Sequence, residues 1–81
     1  MASTEVITDL PGVFYRRPSP DAAPFVEPGQ QVAEGAVLGL IEIMKQFSEL
    51  TAPVAGVLTE FTIEENTAVD AGAVVAKIVT D

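Results

Sequence analysis

Residues 30–41 read QQVAEGAVLGLI, and residues 67–78 read TAVDAGAVVAKI. The two stretches align at a constant offset of 37 residues, and Glu27 meets Glu64 at the same offset. In the first stretch, the residues with an identical counterpart are Val32, Gly35, Ala36, Val37 and Ile41. A repeated supersecondary unit in so short a chain predicts one domain with approximate two-fold internal symmetry.

The turn signals repeat together with the apolar residues. Residues 27–30 (EPGQ) have Pro and Gly at the two central positions of a type II turn. Their counterpart, residues 64–67 (EENT), has Asn66 at the Gly position, and Asn also tolerates a positive φ there. Gly35 and Gly72 each mark a second tight turn before a β-rich run. Chance similarity among small apolar residues is the alternative explanation, and the repeated turns argue against it.

The first half of the chain is seven residues longer than the second, because GVF at residues 12–14 aligns with GVL at residues 56–58 with an offset of 44. The extra residues lie between Tyr15 and Phe25, and three prolines there disfavour both helix and strand. We therefore expect a stiff projecting loop at about residues 17–23. It is either a tolerated surface insertion or a projection that contacts a ligand or partner, and the residues alone leave both open.

The rest of the chain predicts short strands, and no window has a helical period. The predicted strands cover residues 6–8, 12–16, 31–32, 37–43, 46–51, 56–62, 68–69 and 74–80. Short strands separated by tight turns favour an all-β barrel or sandwich. We expect a flexible N-terminus at residues 1–5 and one domain at residues 6–81.

Composition excludes several classes of function. With 81 residues and neither Cys nor His, the chain has no disulfides, a zinc site is improbable, and Ser-His or Cys-His catalysis is excluded. The net charge of −8 makes nucleic acid a poor partner; it favours solubility, or docking on basic partner surfaces. No apolar run has transmembrane length and no signal-peptide pattern is present, so we expect a cytoplasmic protein without a membrane role.

Met44-Lys45 lies between two β-rich runs, where a two-residue hairpin turn ordinarily has Asn-Gly or another Gly. A departure from local rules at a turn tip is typical of a functional site. Lys45 would offer an amine on a rigid support, and Met44 an adaptable apolar contact. The alternative is a solvated surface lysine, which is the commoner case. The other lysine, Lys77, is expected on an edge strand or the surface.

Residues 42–46, Glu-Ile-Met-Lys-Gln, are similar to the Glu-Ala-Met-Lys-Met motif around the modified lysine of the biotinyl/lipoyl attachment family. Further segments resemble the carriers of acetyl-CoA carboxylases within that family; they are residues 12–16, 25–32 and 35–38. Residues 17–23 resemble the protruding thumb of those carriers, and are called the thumb loop below. The resemblance covers about residues 6–80. Ile43 and Gln46 depart from the motif, and Leu10-Pro11 replaces the usual Pro-Met pair.

The resemblance implies a flattened barrel-sandwich of two four-stranded antiparallel sheets with pseudo-two-fold symmetry. It also implies that a biotin protein ligase joins biotin to Lys45 through an amide. The chain would be a non-catalytic carrier that takes a carboxyl group from a biotin carboxylase to a carboxyltransferase, with acetyl-CoA as the first choice of acceptor.

The resemblance also implies roles for the neighbours of Lys45. Met44 would be read by the ligase, and Glu42 would assist docking or be a solvated strand-end charge. The thumb loop residues expected beside the biotin ring are Pro18, Ser19, Pro20 and Asp21. Two alternatives stay open. A lipoyl carrier typically has Asp-Lys-Ala, which Met44 and Gln46 disfavour, and an unmodified structural or regulatory module would account for the departures at Ile43 and Gln46.

Overall fold

Eight strands form the regular structure of residues 2–80, the part of the chain that the computed structural model describes. They are β1 (Ala2–Ile7), β2 (Gly12–Tyr15), β3 (Gln31–Val32), β4 (Val37–Ile43), β5 (Gln46–Thr51), β6 (Gly56–Phe61), β7 (Thr67–Val69) and β8 (Val74–Thr80). They make two four-stranded sheets, ordered β1-β8-β6-β3 and β5-β4-β2-β7, and every pairing is antiparallel. The predicted all-β fold of two four-stranded antiparallel sheets is confirmed.

The two sheets are related by the predicted pseudo-two-fold symmetry. Exchanging β1–β4 with β5–β8 turns one strand order into the other. The register shift between Val6 and Ile7 in the β1–β8 pair has a counterpart between Val37 and Gly39 in the β4–β5 pair. β4 and β8 share one burial pattern, and β1 and β5 share another. The sequence repeat therefore corresponds to a structural repeat.

The equivalent turns use the predicted chemistry. Gly29 has a φ of 93° and Asn66 a φ of 64°, both in the left-handed region that Gly and Asn tolerate. The Gly29 N–H donates to the Leu58 carbonyl at 2.6 Å, and the Asn66 N–H donates to the Phe14 carbonyl at 2.7 Å. Each turn is thus hydrogen-bonded to the equivalent strand of the other half, which is β6 for the first turn and β2 for the second.

The core lies between the sheets and is built from the inward positions of both halves. Phe14 and its counterpart Leu58 are fully buried, as are Leu38 and Val75. The Phe14 ring also meets the Phe61 ring, with centroids 5.9 Å apart. Burying each large apolar side chain contributes about 1.5–3 kcal/mol, so alternation along short strands holds this domain together without disulfides.

Residues 2–5, which were expected to form a flexible N-terminus, lie in a strand. β1 begins at Ala2, and its backbone pairs with β8 from Ala2↔Thr80 to Ile7↔Val74. Residues 2–5 have no apolar alternation because most of their side chains are exposed. Backbone hydrogen bonds to a distant strand order this segment, and local sequence does not carry that signal. Met1 lies outside the described residues.

Two further expectations need correction. Thr8 was predicted to extend the first strand, but β1 ends at Ile7, and the Thr8 hydroxyl instead donates to the Leu10 carbonyl at 2.8 Å. Lys77 lies on β8, which is a central strand between β1 and β6, so the prediction of an edge strand is wrong. Its side chain does reach the surface, 3.9 Å from the Glu60 carboxylate.

Gly56 is expected to be intolerant of a side chain. A Cβ at this position would overlap the Val79 carbonyl oxygen, which is backbone. Gly56→Ala should therefore push β6 away from β8 and destabilise the domain by more than about 1–3 kcal/mol, the usual cost of overpacking. Gly35→Ala is the control, since a Cβ there meets nothing within 4 Å and only a φ of 86° opposes it. Urea unfolding of both variants tests this order, and a Gly56→Ala variant as stable as Gly35→Ala would contradict it.

Residues 2–80 include no helix with the length and apolar character needed to cross a membrane.

Candidate functional site

Met44 and Lys45 form the tip of the β4–β5 hairpin. Ile43↔Gln46 is the last cross-strand pair, so the turn contains only these two residues. Met44 has a φ of 52° and Lys45 a φ of 66°, the backbone of a type I′ turn. Met44 is 91% exposed, and Lys45 is exposed as well. The hairpin therefore projects the Lys45 amine from a rigid sheet, in a bend between the two similar halves.

The turn has a backbone that its residues do not favour. A left-handed conformation costs an ordinary L-residue about 1–2 kcal/mol, and type I′ turns use Asn and Gly to avoid that cost. Here neither residue is Asn or Gly. Strain of this kind is concentrated at functional sites, where the surrounding structure maintains it. The five cross-strand pairs from Gly39↔Leu50 to Ile43↔Gln46 supply that support.

Glu42 is held by a neighbour that the sequence analysis did not identify. The Tyr15 hydroxyl donates to Glu42 Oε1 at 2.9 Å. This hydrogen bond, together with desolvation, raises the pKa of Tyr15 above its ordinary value, so the phenol stays protonated as the donor. The Tyr15 ring also meets Phe47, with centroids 6.1 Å apart, and Phe47 pairs with Glu42 across the hairpin. Glu42, Tyr15 and Phe47 thus form one cluster on the outer face of the sheet.

The thumb loop, Tyr15, Phe47 and the β6–β7 connection line a groove of about 440 Å³, called the thumb groove below. Its lining residues are Tyr15, Arg17, Pro18, Ser19, Pro20, Phe47, Glu65 and Asn66. Three of the four predicted thumb residues, Pro18, Ser19 and Pro20, are therefore brought together beside the hairpin. Asp21 is exposed and does not line the groove. Phe47 is two residues from Lys45, so at about 3.4 Å per residue the groove begins about 7 Å from the tip.

The comparison with known families agrees with this geometry. A family model described as "Biotin-requiring enzyme" matches residues 4–78, which is most of the chain. This chain belongs to the biotin-requiring enzyme family. The predicted membership of the biotinyl/lipoyl attachment family is confirmed.

Curated relatives within the family are similar over most of this chain. The biotin carboxyl carrier protein of acetyl-CoA carboxylase from Haemophilus influenzae is 42% identical over 65 residues, which cover 80% of this chain and 42% of that protein. The protein of the same name from Chlamydia trachomatis is 35% identical over 74 residues, covering 91% and 45% of the two chains. This chain thus spans less than half the length of these relatives.

A solved structure shows the same fold. The urea carboxylase of Kluyveromyces lactis matches with a TM-score of 0.79 and 23% identity, covering 98% of this chain and 6% of that one. At this level of identity, the likeness concerns the fold alone.

The thumb groove lies at the Lys45 end of the domain, and the equivalent residues at the opposite end differ. By the offsets of the repeat, Tyr15 corresponds to Thr59, Glu42 to Val79 and Phe47 to Ser3. These counterparts offer no aromatic pair and no carboxylate, and the second half has no insertion. The two ends of the symmetric fold thus differ in sequence, and the aromatic pair, the carboxylate and the insertion all belong to the end that carries Lys45.

Proposed function

We propose that this chain is a biotin carrier domain. A biotin protein ligase would attach biotin to Lys45, and the loaded domain would carry a carboxyl group from a biotin carboxylase to a carboxyltransferase of acetyl-CoA carboxylase. The observation that carries the proposal is the position of Lys45, exposed at a φ of 66° on the tip of a two-residue hairpin. An acceptor amine must enter the active sites of other enzymes, and this is the geometry that allows it.

The residues beside Lys45 fit a biotinyl group. The thumb groove has an aromatic floor, made by Tyr15 and Phe47, and a proline wall, made by Pro18 and Pro20. An aliphatic tether and its ring would bury apolar surface there, while the Ser19 hydroxyl offers both a donor and an acceptor. When bound, biotin supplies a ring nitrogen that takes up and releases a carboxyl group. Asp21 would stand outside the groove, where it could contact only the rim or a visiting enzyme.

The chain contributes tethering to the reaction. Lys45 would lose its charge on forming the amide, and its stem would become part of a longer arm. Attachment to a rigid hairpin gives the group a high local concentration at each partner site, about millimolar for a short flexible tether. Met44, at 91% exposure, would give the ligase an apolar contact next to the amine. Glu42 would keep the Tyr15 ring in place through the 2.9 Å hydrogen bond.

The proposed partners agree with the charge of the domain. The net charge of −8 favours docking on basic surfaces of the ligase, the carboxylase and the transferase, and steering of this kind mainly raises association rates. We therefore expect their affinities for this domain to fall with ionic strength. The acceptor acetyl-CoA and the cytoplasmic location stay predictions.

Coexpression with a biotin protein ligase tests the proposal. Lys45 and Lys77 are the two lysines of the chain, which gives a matched pair of variants. We expect the intact mass to increase by one biotinyl group in the wild type and in Lys77→Arg. The mass of Lys45→Arg should show no such increase. Arginine keeps the charge and the aliphatic stem, so the fold should be unaffected. The ligase cannot acylate it, so the modification should be lost.

A parallel coexpression with a lipoate ligase separates the alternatives. Modification by a lipoate ligase, with no gain from the biotin ligase, would indicate a lipoyl carrier. No gain from either ligase would indicate an unmodified module of this fold. A biotinyl group that persists in Lys45→Arg would show that the amine at the hairpin tip is not the acceptor.

A further inference from the structure

The thumb loop is closed by local hydrogen bonds that do not fix its position on the domain. The Phe25 N–H donates to the Arg16 carbonyl at 2.9 Å at the base, and the Ala22 N–H donates to the Ser19 carbonyl at 3.1 Å near the tip. Both bonds join residues within the loop and its flanks. These bonds alone would leave the loop free to fray near Ala22 and to tilt about its base, so both its shape and its position depend on a further contact.

The Arg17 side chain joins the loop to the other half of the domain. Arg17 Nε donates to Glu65 Oε1 at 3.1 Å, and Arg17 Nη1 lies 3.4 Å from the Ala22 carbonyl. The planar guanidinium can direct donors to two acceptors at once. Arg17 therefore links the returning limb of the loop, at Ala22, to a carboxylate in the β6–β7 connection.

The backbone beside Glu65 is held in place by a hydrogen bond to β2. Its neighbour Asn66 has a φ of 64° and donates its N–H to the Phe14 carbonyl at 2.7 Å, and Phe14 is fully buried. The β6–β7 turn is thus fixed to β2, the strand that leads into the thumb loop. The Arg17–Glu65 pair consequently closes a ring from β2 through the loop and the turn back to β2.

We propose that Arg17 and Glu65 form a latch that positions the thumb loop over the groove. Both residues line the thumb groove with Pro18 and Pro20, so their ion pair determines the distance between the proline wall and the aromatic floor. Arg17 and Glu65 are positioning residues: they act on the arm of Lys45 through the loop. This last step rests on the proposed function, whereas the latch itself concerns the unmodified chain.

The exposure of the pair determines the expected size of the effect. The side chains of Arg17 and Glu65 are 33% and 30% exposed, so solvent screens their attraction and the latch is reversible. Pairs of this kind shift an equilibrium by about two- to fivefold. Because the ion pair is weak, the thumb loop can move away from the groove when a partner enzyme withdraws the arm.

Amide–water exchange measured by NMR on the unmodified chain tests the latch. We expect Glu65→Gln and Arg17→Gln each to speed exchange at the Ala22 amide by about two- to fivefold, with the Ile78 amide of the central strand unchanged. Glu60→Gln is the matched control, because it removes the same charge from an ion pair with Lys77 on the other sheet. In the Arg17→Gln background, Glu65→Gln should have no further effect.

Biotinylated protein tests the consequence for the arm. Biotinylation should slow exchange at Ala22 in the wild type and in Glu60→Gln, and slow it less in Glu65→Gln. Equal Ala22 exchange in Glu65→Gln and Glu60→Gln, or a Glu65→Gln effect of full size without Arg17, would overturn the latch. A wild-type chain that accepts no biotin would instead remove the proposed function, and the comparison on unmodified chains would still decide the latch.

Discussion

Replacing Met44-Lys45 by Asn-Gly is expected to stabilise the domain while abolishing its modification. Met44 and Lys45 have φ values of 52° and 66°, which Asn and Gly adopt at much lower cost. Relief of about 1–2 kcal/mol per residue should raise the thermal midpoint by about 4–8 °C for each kcal/mol in a domain of this size. Thermal unfolding followed by circular dichroism measures the gain, and intact mass after coexpression with the ligase measures the loss.

Asn66→Gly is the matched control for this prediction. It also places Gly at a positive φ, 64°, but starts from a residue that tolerates that region. It should change the midpoint much less than the double replacement at the tip. A midpoint that falls in the Asn-Gly variant would show that Met44 and Lys45 adopt their backbone without strain.

The expected increase in stability corresponds to the backbone strain that Met44 and Lys45 introduce at the hairpin tip. The type I′ geometry suits the twist of the flanking strands, and the most stable residues for it provide no amine. Under the proposed function, the tip keeps Lys45 and its strained backbone because Asn-Gly would provide no amine, a compromise between stability and activity that is common among natural proteins.

Phe14→Ala is expected to have the largest effect on stability. Phe14 is fully buried and meets Phe61, so its loss should cost about 3–5 kcal/mol. A domain of 81 residues has a total stability of about 4–12 kcal/mol at the usual density per residue. The loss is therefore about a quarter or more of the total stability, and the variant should unfold at a clearly lower urea concentration than the wild type. Urea unfolding at 25 °C measures the difference.

Phe47→Ala provides the comparison with the same chemical change at the surface. Phe47 is 56% exposed, so we expect a loss of no more than about 1 kcal/mol, mainly from its contact with Tyr15. If the two variants lost equal stability, the core would not be centred on Phe14. Phe47→Ala should still accept biotin, because Lys45 and its turn are unchanged.

The sequence determined most of the strands. The offset of 37 residues and the paired turn signals predicted two similar halves, and the strands lie where their β-branched runs indicated. Positive φ at Gly29, Gly35 and Gly72 followed from local sterics alone. The exposed Met44-Lys45 tip was predicted in the same way, since two strong strand patterns left only two residues between them.

Contacts between distant residues were decided by the tertiary structure. Tyr15 and Glu42 are 27 positions apart, and Arg17 and Glu65 are 48 apart. Tyr15 and Glu42 lie on strands that are not consecutive in the chain, and Arg17 and Glu65 lie in different halves, so neither pair could be predicted from periodicity or turn chemistry. Pairing of residues 2–5 with β8 has the same origin, because backbone hydrogen bonds between strands far apart in the chain do not depend on side-chain pattern. Local sterics and hydrophobic alternation depend on neighbouring residues and can be predicted from them. The groove beside Lys45 depends on residues far apart in the chain, so it forms only when the sheets bring those residues together.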